Sequence, residues 1–290
     1  MPLKRLLLPI WNGGHRLAWT AGEFAGAVLH GRLERCACCG RFGPMLRRPR
    51  AIPGKLVEMW GLSPRVAEAL IRKETLDCAF CGAKLRARRL AKVVMETFPV
   101  EGSRPRSLRD WSRRQEVSSI PVAEINLIEG LHEALTPLPG LAFSDFFAGA
   151  KPGEIVSGVR HEDLTRLTYA DQSFDLVLTS ETLEHVPDLD AALSEIRRVL
   201  VPGGWHLFTV PLVPGVPRTY PRMKIGSAGE PIPLAAPIFH PGGDQGYPVF
   251  TEIGADLPEI LDRAGFDTEV RFGPMTEDDI GQVFASRRRG

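Results

Sequence analysis

From about residue 122 onward, short continuous apolar runs alternate with stretches of helical period, and this alternation limits the fold more than any other feature. AEINLIEG reads as an apolar strand ending at Gly130, and LHEALTPL as a short helix. LAFSDFF is a second strand and VRHEDL a weak third. SFDLVLTSE is a fourth, apolar throughout as expected for a strand covered on both faces. DLDAALSEIRRVL predicts a helix, with Leu189, Leu193, Ile196 and Leu200 in one stripe and Pro202-Gly203-Gly204 ending it. WHLFTVPLV is a fifth strand, TEIGADLPEILDRAGF a last helix, and DTEVRFG with GQVFASR the closing pair. The expectation is an α/β fold, a Rossmann-like, mainly parallel sheet with right-handed crossovers. Ligands in such sheets bind beyond the carboxyl ends of the strands.

The 290 residues are 43% hydrophobic and 24% charged, enough for two domains or for one with a large appendage. No apolar run reaches the roughly 20 residues of a membrane helix. The run from Leu6 to Trp11 is broken by Pro9 and lacks a cleavage site, so it is not read as a signal peptide. The expected location is the cytoplasm, with no membrane partner. Charge is uneven: residues 1–114 hold 23 Lys+Arg against 9 Asp+Glu, the remainder 13 against 26. Such a basic half suits nucleic acid, a nucleotide-sugar phosphate or the acidic half itself, the alternative being a solvated arginine-rich surface.

All five cysteines lie between residues 36 and 81. Cys36 and Cys39 form one C-x-x-C pair, Cys78 and Cys81 another, each followed by glycine. Two such knuckles are expected to complete a closed four-thiolate zinc site, structural rather than catalytic, the alternative being a set of reduced, buried thiols. Cys38 is the spare and an alternative ligand. The insertion between the pairs holds a loop, RRPRAIPGK, and a helix, SPRVAEALIRKE, opened by Ser63 and Pro64. GAKLRARRLAKVVMETF predicts a second helix, and SLRDWSRRQEV a short one capped by Ser107. The expected organisation is a basic zinc module over residues 1–100, a linker with a helix over 101–121, and the sheet domain over 122–290.

The stretch from Asp163 to Pro211, DLTRLTYADQSFDLVLTSETLEHVPDLDAALSEIRRVLVPGGWHLFTVP, resembles the central half of a class I S-adenosylmethionine-dependent methyltransferase. The likeness is strong over about 50 residues and extends in outline over about 170. The paired knuckles ahead of it resemble zinc-ribbon methyltransferases, some of which act on sugars. The family's sheet has seven strands. Carried over by position, the resemblance puts Glu129 and Gly130 under the methionine part of the cofactor. It assigns Asp145 to the ribose hydroxyls, Asp163 and Leu164 to the adenine, and Ser180 and Glu181 to the sulfonium. The alternative for each is a helix cap or surface acid. One departure stands out: the glycine-rich loop expected after the first strand is reduced to Gly130.

Glu181, Glu184 and His185 crowd the end of the fourth strand, and three readings apply. The E-x-x-E-H spacing resembles methyltransferases of the ubiquinone pathway and of small-RNA 3′ ends. There two carboxylates and a histidine hold magnesium or manganese, and His240 is a further candidate ligand. Alternatively His185 acts alone as a general base, or the three are structural. The Pro- and Gly-rich segment 212–248 reads as a lid, with Arg218, Tyr220, Arg222 and Lys224 as candidate acceptor contacts or as a solvated face. The leading expectation is O-methylation of a small-molecule or saccharide hydroxyl. The alternatives are an RNA methyltransferase gripping its strand with the basic module, and a scaffold that has lost donor binding. The oligomeric state is not legible.

Overall fold

The computed structural model describes residues 33–47, 54–102, 104–212, 214–227, 229–240 and 246–290. The run Leu6 to Trp11 and most of the RRPRAIPGK loop lie outside them.

The cysteine region is a three-stranded antiparallel sheet of β1 (Leu33–Arg35), β2 (Phe42–Arg47) and β3 (Leu76–Cys78) in the order β1-β2-β3. Between β2 and β3 run α1 (Gly54–Met59) and α2 (Pro64–Thr75). Ser63 accepts from the Val66 amide at 3.3 Å and Pro64 opens α2, as its sequence predicts. α3 (Leu85–Thr97) follows, then α4 (Leu108–Trp111), capped by Ser107, whose hydroxyl accepts from the Asp110 amide at 3.2 Å.

The larger sheet begins with β4 (Val122–Ile125), α5 (His132–Leu135), β5 (Leu141–Asp145), β6 (Ile155–Val156) and β7 (Val159–His161). β8 (Phe174–Ser180), α6 (Leu189–Val199) and β9 (Leu200–Thr209) come next. The 212–248 segment and its flank hold three two-stranded ribbons: β10 (Tyr220–Pro221) with β15 (Thr251–Glu252), β11 (Met223–Ile225) with β12 (Pro231–Pro233), and β13 (Phe239–His240) with β14 (Tyr247–Pro248). α7 (Leu257–Arg263), β16 (Phe266–Arg271) and β17 (Val283–Arg288) complete the chain. The sheet order is β16-β17-β9-β8-β4-β5-β7-β6. β7, β5, β4, β8 and β9 are mutually parallel, and β17 enters antiparallel between β9 and β16. The seven expected strands are present, and β6 adds an eighth through a tight antiparallel hairpin with β7. The order reverses between β4 and β8, which marks the ligand-binding crevice.

Two expected boundaries move. β4 stops at Ile125 rather than at Gly130. The Pro202-Gly203-Gly204 turn lies inside β9: the helix passes directly into the strand, and the pairing with β8 shifts register between Phe174 and Leu176. Gly203 takes φ +81°, which absorbs that bulge.

α3, α4 and α5 cover one face of the sheet and α6 and α7 the other, as the residue makeup of the two cores shows. On the first face Leu90, Val93 and Val94 of α3 are wholly buried with Leu176, Leu178, Leu207 and Val283. Each such side chain contributes roughly 1.5–3 kcal/mol. Cys36, Cys38 and Cys78 belong to the same cluster. The division expected between 100 and 122 therefore runs through one continuous core. Ion pairs add to this docking: Arg89 to Asp279 (2.5 Å), Arg271 to Glu96 (2.7 Å), and Arg65 to Asp278. In the Arg89 and Arg65 pairs the basic half meets acids of the other half; the Arg271–Glu96 pair runs the opposite way.

Candidate functional site

In the loop after β4, positions 126, 128 and 130 have the spacing of the three glycines expected there. Asn126 takes φ +64°, a left-handed conformation that asparagine tolerates. Ile128 is buried in the α3 core rather than in the crevice. Gly130 takes φ +76°, and a Cβ there would lie 2.6 Å from the Cβ of Ala83 and 2.7 Å from its Cα. Its glycine character serves the approach of the cysteine knuckle, a reason sequence reading did not supply. Glu124, wholly buried on β4, accepts from the Ile128 amide at 3.0 Å and pairs with His132 Nδ1 at 2.7 Å, which fixes the loop. Glu129 is exposed at the rim. Asn126 Nδ2 donates to Thr182 Oγ1 at 3.4 Å, tying this loop to the end of β8.

Asp145 ends β5, buried, with Oδ1 accepting from the Phe146 amide at 2.9 Å. Asp163 accepts from the amide and hydroxyl of Thr165 at 2.9 and 2.7 Å. It lines an open cleft of about 470 Å3 with Thr165, Arg166, Pro187, Asp188 and Ala191. Leu164 is buried in the core beneath.

At the end of β8 the cysteine module reaches into the site. Arg86 Nη1 donates to Ser180 Oγ at 2.5 Å, and Ser180 Oγ lies 2.8 Å from Thr209 Oγ1. Arg86 Nε donates to Glu74 at 3.2 Å, and Lys84 stands 3.6 Å from the same carboxylate. Burial opposes the ionised form of Glu74, but Arg86, Lys73 and Lys84 outweigh it and hold its pKa down at about 2. Glu181 takes φ +50° and pairs with Lys73 at 3.0 Å. Sequence reading missed this group, although Lys73 continues the buried stripe Val66, Ala69, Leu70 of α2. A cation on an apolar stripe is the signal that marks it.

Glu184 and His185 lie on a 3-10 turn (Leu183–His185), and β13 brings His240 to them. One ligand atom from each lies within 4.8 Å of the other two. His185 Nδ1 donates to the Pro248 carbonyl at 2.7 Å, so Nε2 carries the lone pair, 3.1 Å from His240 Nδ1. Both oxygens of Glu184 are buried without a hydrogen-bond donor, with Oε1 3.4 and 3.5 Å from the two imidazoles. Burial opposes its charge, yet the two histidines hold its pKa below the ordinary carboxylate value. A buried carboxylate lacking donors beside two imidazoles, one with its tautomer fixed, fits a divalent cation. The fourth expected ligand, Glu181, is turned to Lys73 and stands outside this set.

The four paired cysteines also converge. Cys36 and Cys81 Sγ are 3.7 Å apart, Cys39 and Cys78 Sγ 3.9 Å. Thiolates about 2.3 Å from a tetrahedral zinc stand about 3.8 Å from each other, so the set fits that ion. Cys38 is turned away, its Sγ 3.6 Å from the Ala87 carbonyl. Of the expected acceptor contacts, Arg222 is a buried strut, held by Glu252 at 2.7 Å, Tyr220 and the Ala236 carbonyl. Arg218 is exposed and pairs with Glu259 at 3.1 Å.

Residues 143–208 match a family model described as "Methyltransferase domain". The matched segment runs from β5 into β9 and carries Asp145, Asp163 and Ser180. A probable S-adenosylmethionine-dependent methyltransferase of Mycolicibacterium smegmatis is 32% identical over 116 residues, 40% of this chain and 37% of that protein. A demethylmenaquinone methyltransferase of Lactobacillus johnsonii is 48% identical over 46 residues, 16% of this chain and 19% of that protein. The chain thus spans 37% of the length of the first of these curated relatives and 19% of the second. Among solved structures, the Burkholderia thailandensis 1,6-didemethyltoxoflavin-N1-methyltransferase, with S-adenosylhomocysteine bound, aligns at 16% identity and a TM-score of 0.41, covering 87% of this chain and 97% of that one. With the sheet order above, the matched domain model identifies a Rossmann-like methyltransferase fold. No described helix is long and apolar enough to cross a membrane.

Proposed function

We propose that the chain transfers a methyl group from S-adenosylmethionine to a hydroxyl of a small-molecule or glycan-type acceptor, aided by magnesium or manganese held at Glu184, His185 and His240. The observation that carries this reading is the convergence of those three side chains at the turn following β8, beyond the carboxyl end of a strand where the sheet order reverses.

The donor fits the residues present. Asn126 and Gly130 keep the first loop in its left-handed turns, and Ile128 points away from the crevice. Asp145 and Asp163 stand at the ends of β5 and just beyond β7 for the ribose and adenine. When bound, the donor supplies a methyl group already activated by its sulfonium, and the cation supplies Lewis acidity to an acceptor hydroxyl. The chain's part is alignment and proton removal. His185 has only Nε2 available for either ligation or proton transfer, since Nδ1 is committed to Pro248. The exposed rings of Phe239 and Tyr247 rim the site and suit the apolar face of a sugar-like acceptor. The four-thiolate set, read as structural zinc, has no open position for chemistry.

Calorimetric titration of S-adenosylhomocysteine into zinc-loaded protein tests the donor claim: micromolar binding is expected, and no heat together with no thermal stabilisation would leave a scaffold. Manganese titration followed by electron paramagnetic resonance tests the cation. One bound ion, lost in Glu184→Gln, is expected. Methylation undiminished in chelator would remove the cation and leave His185 as the base.

A further inference from the structure

The guanidinium of Arg86 is supplied by the cysteine module yet lies between the loop after β4 and the end of β8. On one side Nη1 bonds Ser180; on another Nε bonds Glu74. The charge of Glu129, at the rim of the β4 loop, also acts on it. Nη2 has no hydrogen-bond partner among the described residues. A guanidinium held through Nε and Nη1 between these two loops, with Nη2 unpartnered, is the complement of an amino-acid carboxylate. The loop beneath has exchanged two of its three expected glycines for Asn126 and Ile128. A side chain from outside the sheet can supply the recognition that a close backbone approach would otherwise give.

We infer that Arg86 binds the α-carboxylate of the donor's amino-acid portion, so that the cysteine module forms one wall of the donor site. This rests on the methyltransferase reading above. The geometry makes Arg86 a donor-binding residue rather than only a strut of the module: Nε and Nη1 are held by Glu74 and Ser180, and Nη2 keeps its N–H groups without a partner among the described residues.

The test compares two ligands on the full zinc-loaded chain by calorimetry. S-adenosylhomocysteine carries the amino-acid portion, and 5′-methylthioadenosine is the same nucleoside thioether without it. Arg86→Ala is expected to weaken S-adenosylhomocysteine by about thirtyfold or more while leaving methylthioadenosine within about twofold, as loss of one partner of a desolvated charge pair requires. Arg86→Lys is expected to fall between. Equal loss for both ligands, or no loss for either, overturns the inference. If Arg86→Ala does not fold, decarboxylated S-adenosylhomocysteine on the unaltered protein gives the same reading: a comparable loss supports the carboxylate contact, and equal affinity overturns it. Binding of neither ligand to the unaltered protein overturns the donor reading itself.

Discussion

Lys73 and Glu181, 108 residues apart, meet at 3.0 Å between Nζ and Oε2, with the lysine side chain only 1% exposed. The pair joins α2 of the cysteine module to the end of β8. Removing one partner of a buried pair strands the other, so Lys73→Met is expected to destabilise the fold by about 3–5 kcal/mol. The double variant Lys73→Met, Glu181→Gln should recover part of that loss. Urea unfolding of the four proteins in a double-mutant cycle measures the coupling, and additive losses would contradict it.

Gly130→Ala should cost about 2 kcal/mol or more. The new methyl would sit within 2.7 Å of the Ala83 backbone, on a residue already at φ +76°. Thermal melting checks the stability. A free cysteine titre that rises in the variant would show that the Ala83 contact also seats the knuckle.

Zinc and the sheet should melt together. Cys39→Ser is expected to release one zinc per chain, measured by mass spectrometry, and to lower the midpoint of a single transition by roughly 5 °C or more. A separate low-temperature transition, with the sheet unaffected, would show that the shared core does not couple them.

His132 gives the pH dependence its sign. Burial opposes its charged form, but the hydrogen bond and charge of Glu124 outweigh it and hold its pKa above the ordinary 6.5. The folded state therefore binds a proton more readily than the unfolded one. The stabilisation is complete below 6.5 and is lost as pH rises through the raised folded value. Burial likewise pushes Glu124 up, which acts in the same direction. The melting temperature should fall as pH climbs through that range, and His132→Gln should flatten the profile.

Arg89 grips Asp279 through two bonds of 2.5 and 2.6 Å and also donates to the Gly281 carbonyl. Arg89→Ala should cost about 1–2 kcal/mol, more than an exposed pair. Raising the salt concentration should weaken the unaltered protein toward the variant.

Much of the fold was legible because β8 and α6 carry clear periodicities, and Ser63, Pro64 and Ser107 act as their types predict. The Pro202-Gly203-Gly204 turn misled because a bulge within a strand and a helix stop use the same residues. At the site, Glu184, His185 and His240 could be named from spacing and resemblance. Lys73 and Arg86 could not: their partners Glu181 and Ser180 lie more than 90 residues away, and a basic half reads as surface until its acidic partner is in place. Arg88 was hidden for another reason, its burial among local backbone carbonyls. It is 2% exposed and bonds the carbonyls of Leu76 and Ala83 from inside the module.

β17 follows β16 in the chain yet lies between it and β9. As the polypeptide is made, β16 therefore has no place in the sheet until β17 has been added. The interior position beside β9 stays vacant through that interval, with the backbone edge around Trp205 and Phe208 open to pairing. α3 also waits, since Val283 and Ala285 of β17 belong to the core it covers. Assembly must finish with a long-range strand insertion, a step limited by topology rather than by any single residue. Until then the nascent chain carries a free sheet edge, the point at which two copies would pair wrongly.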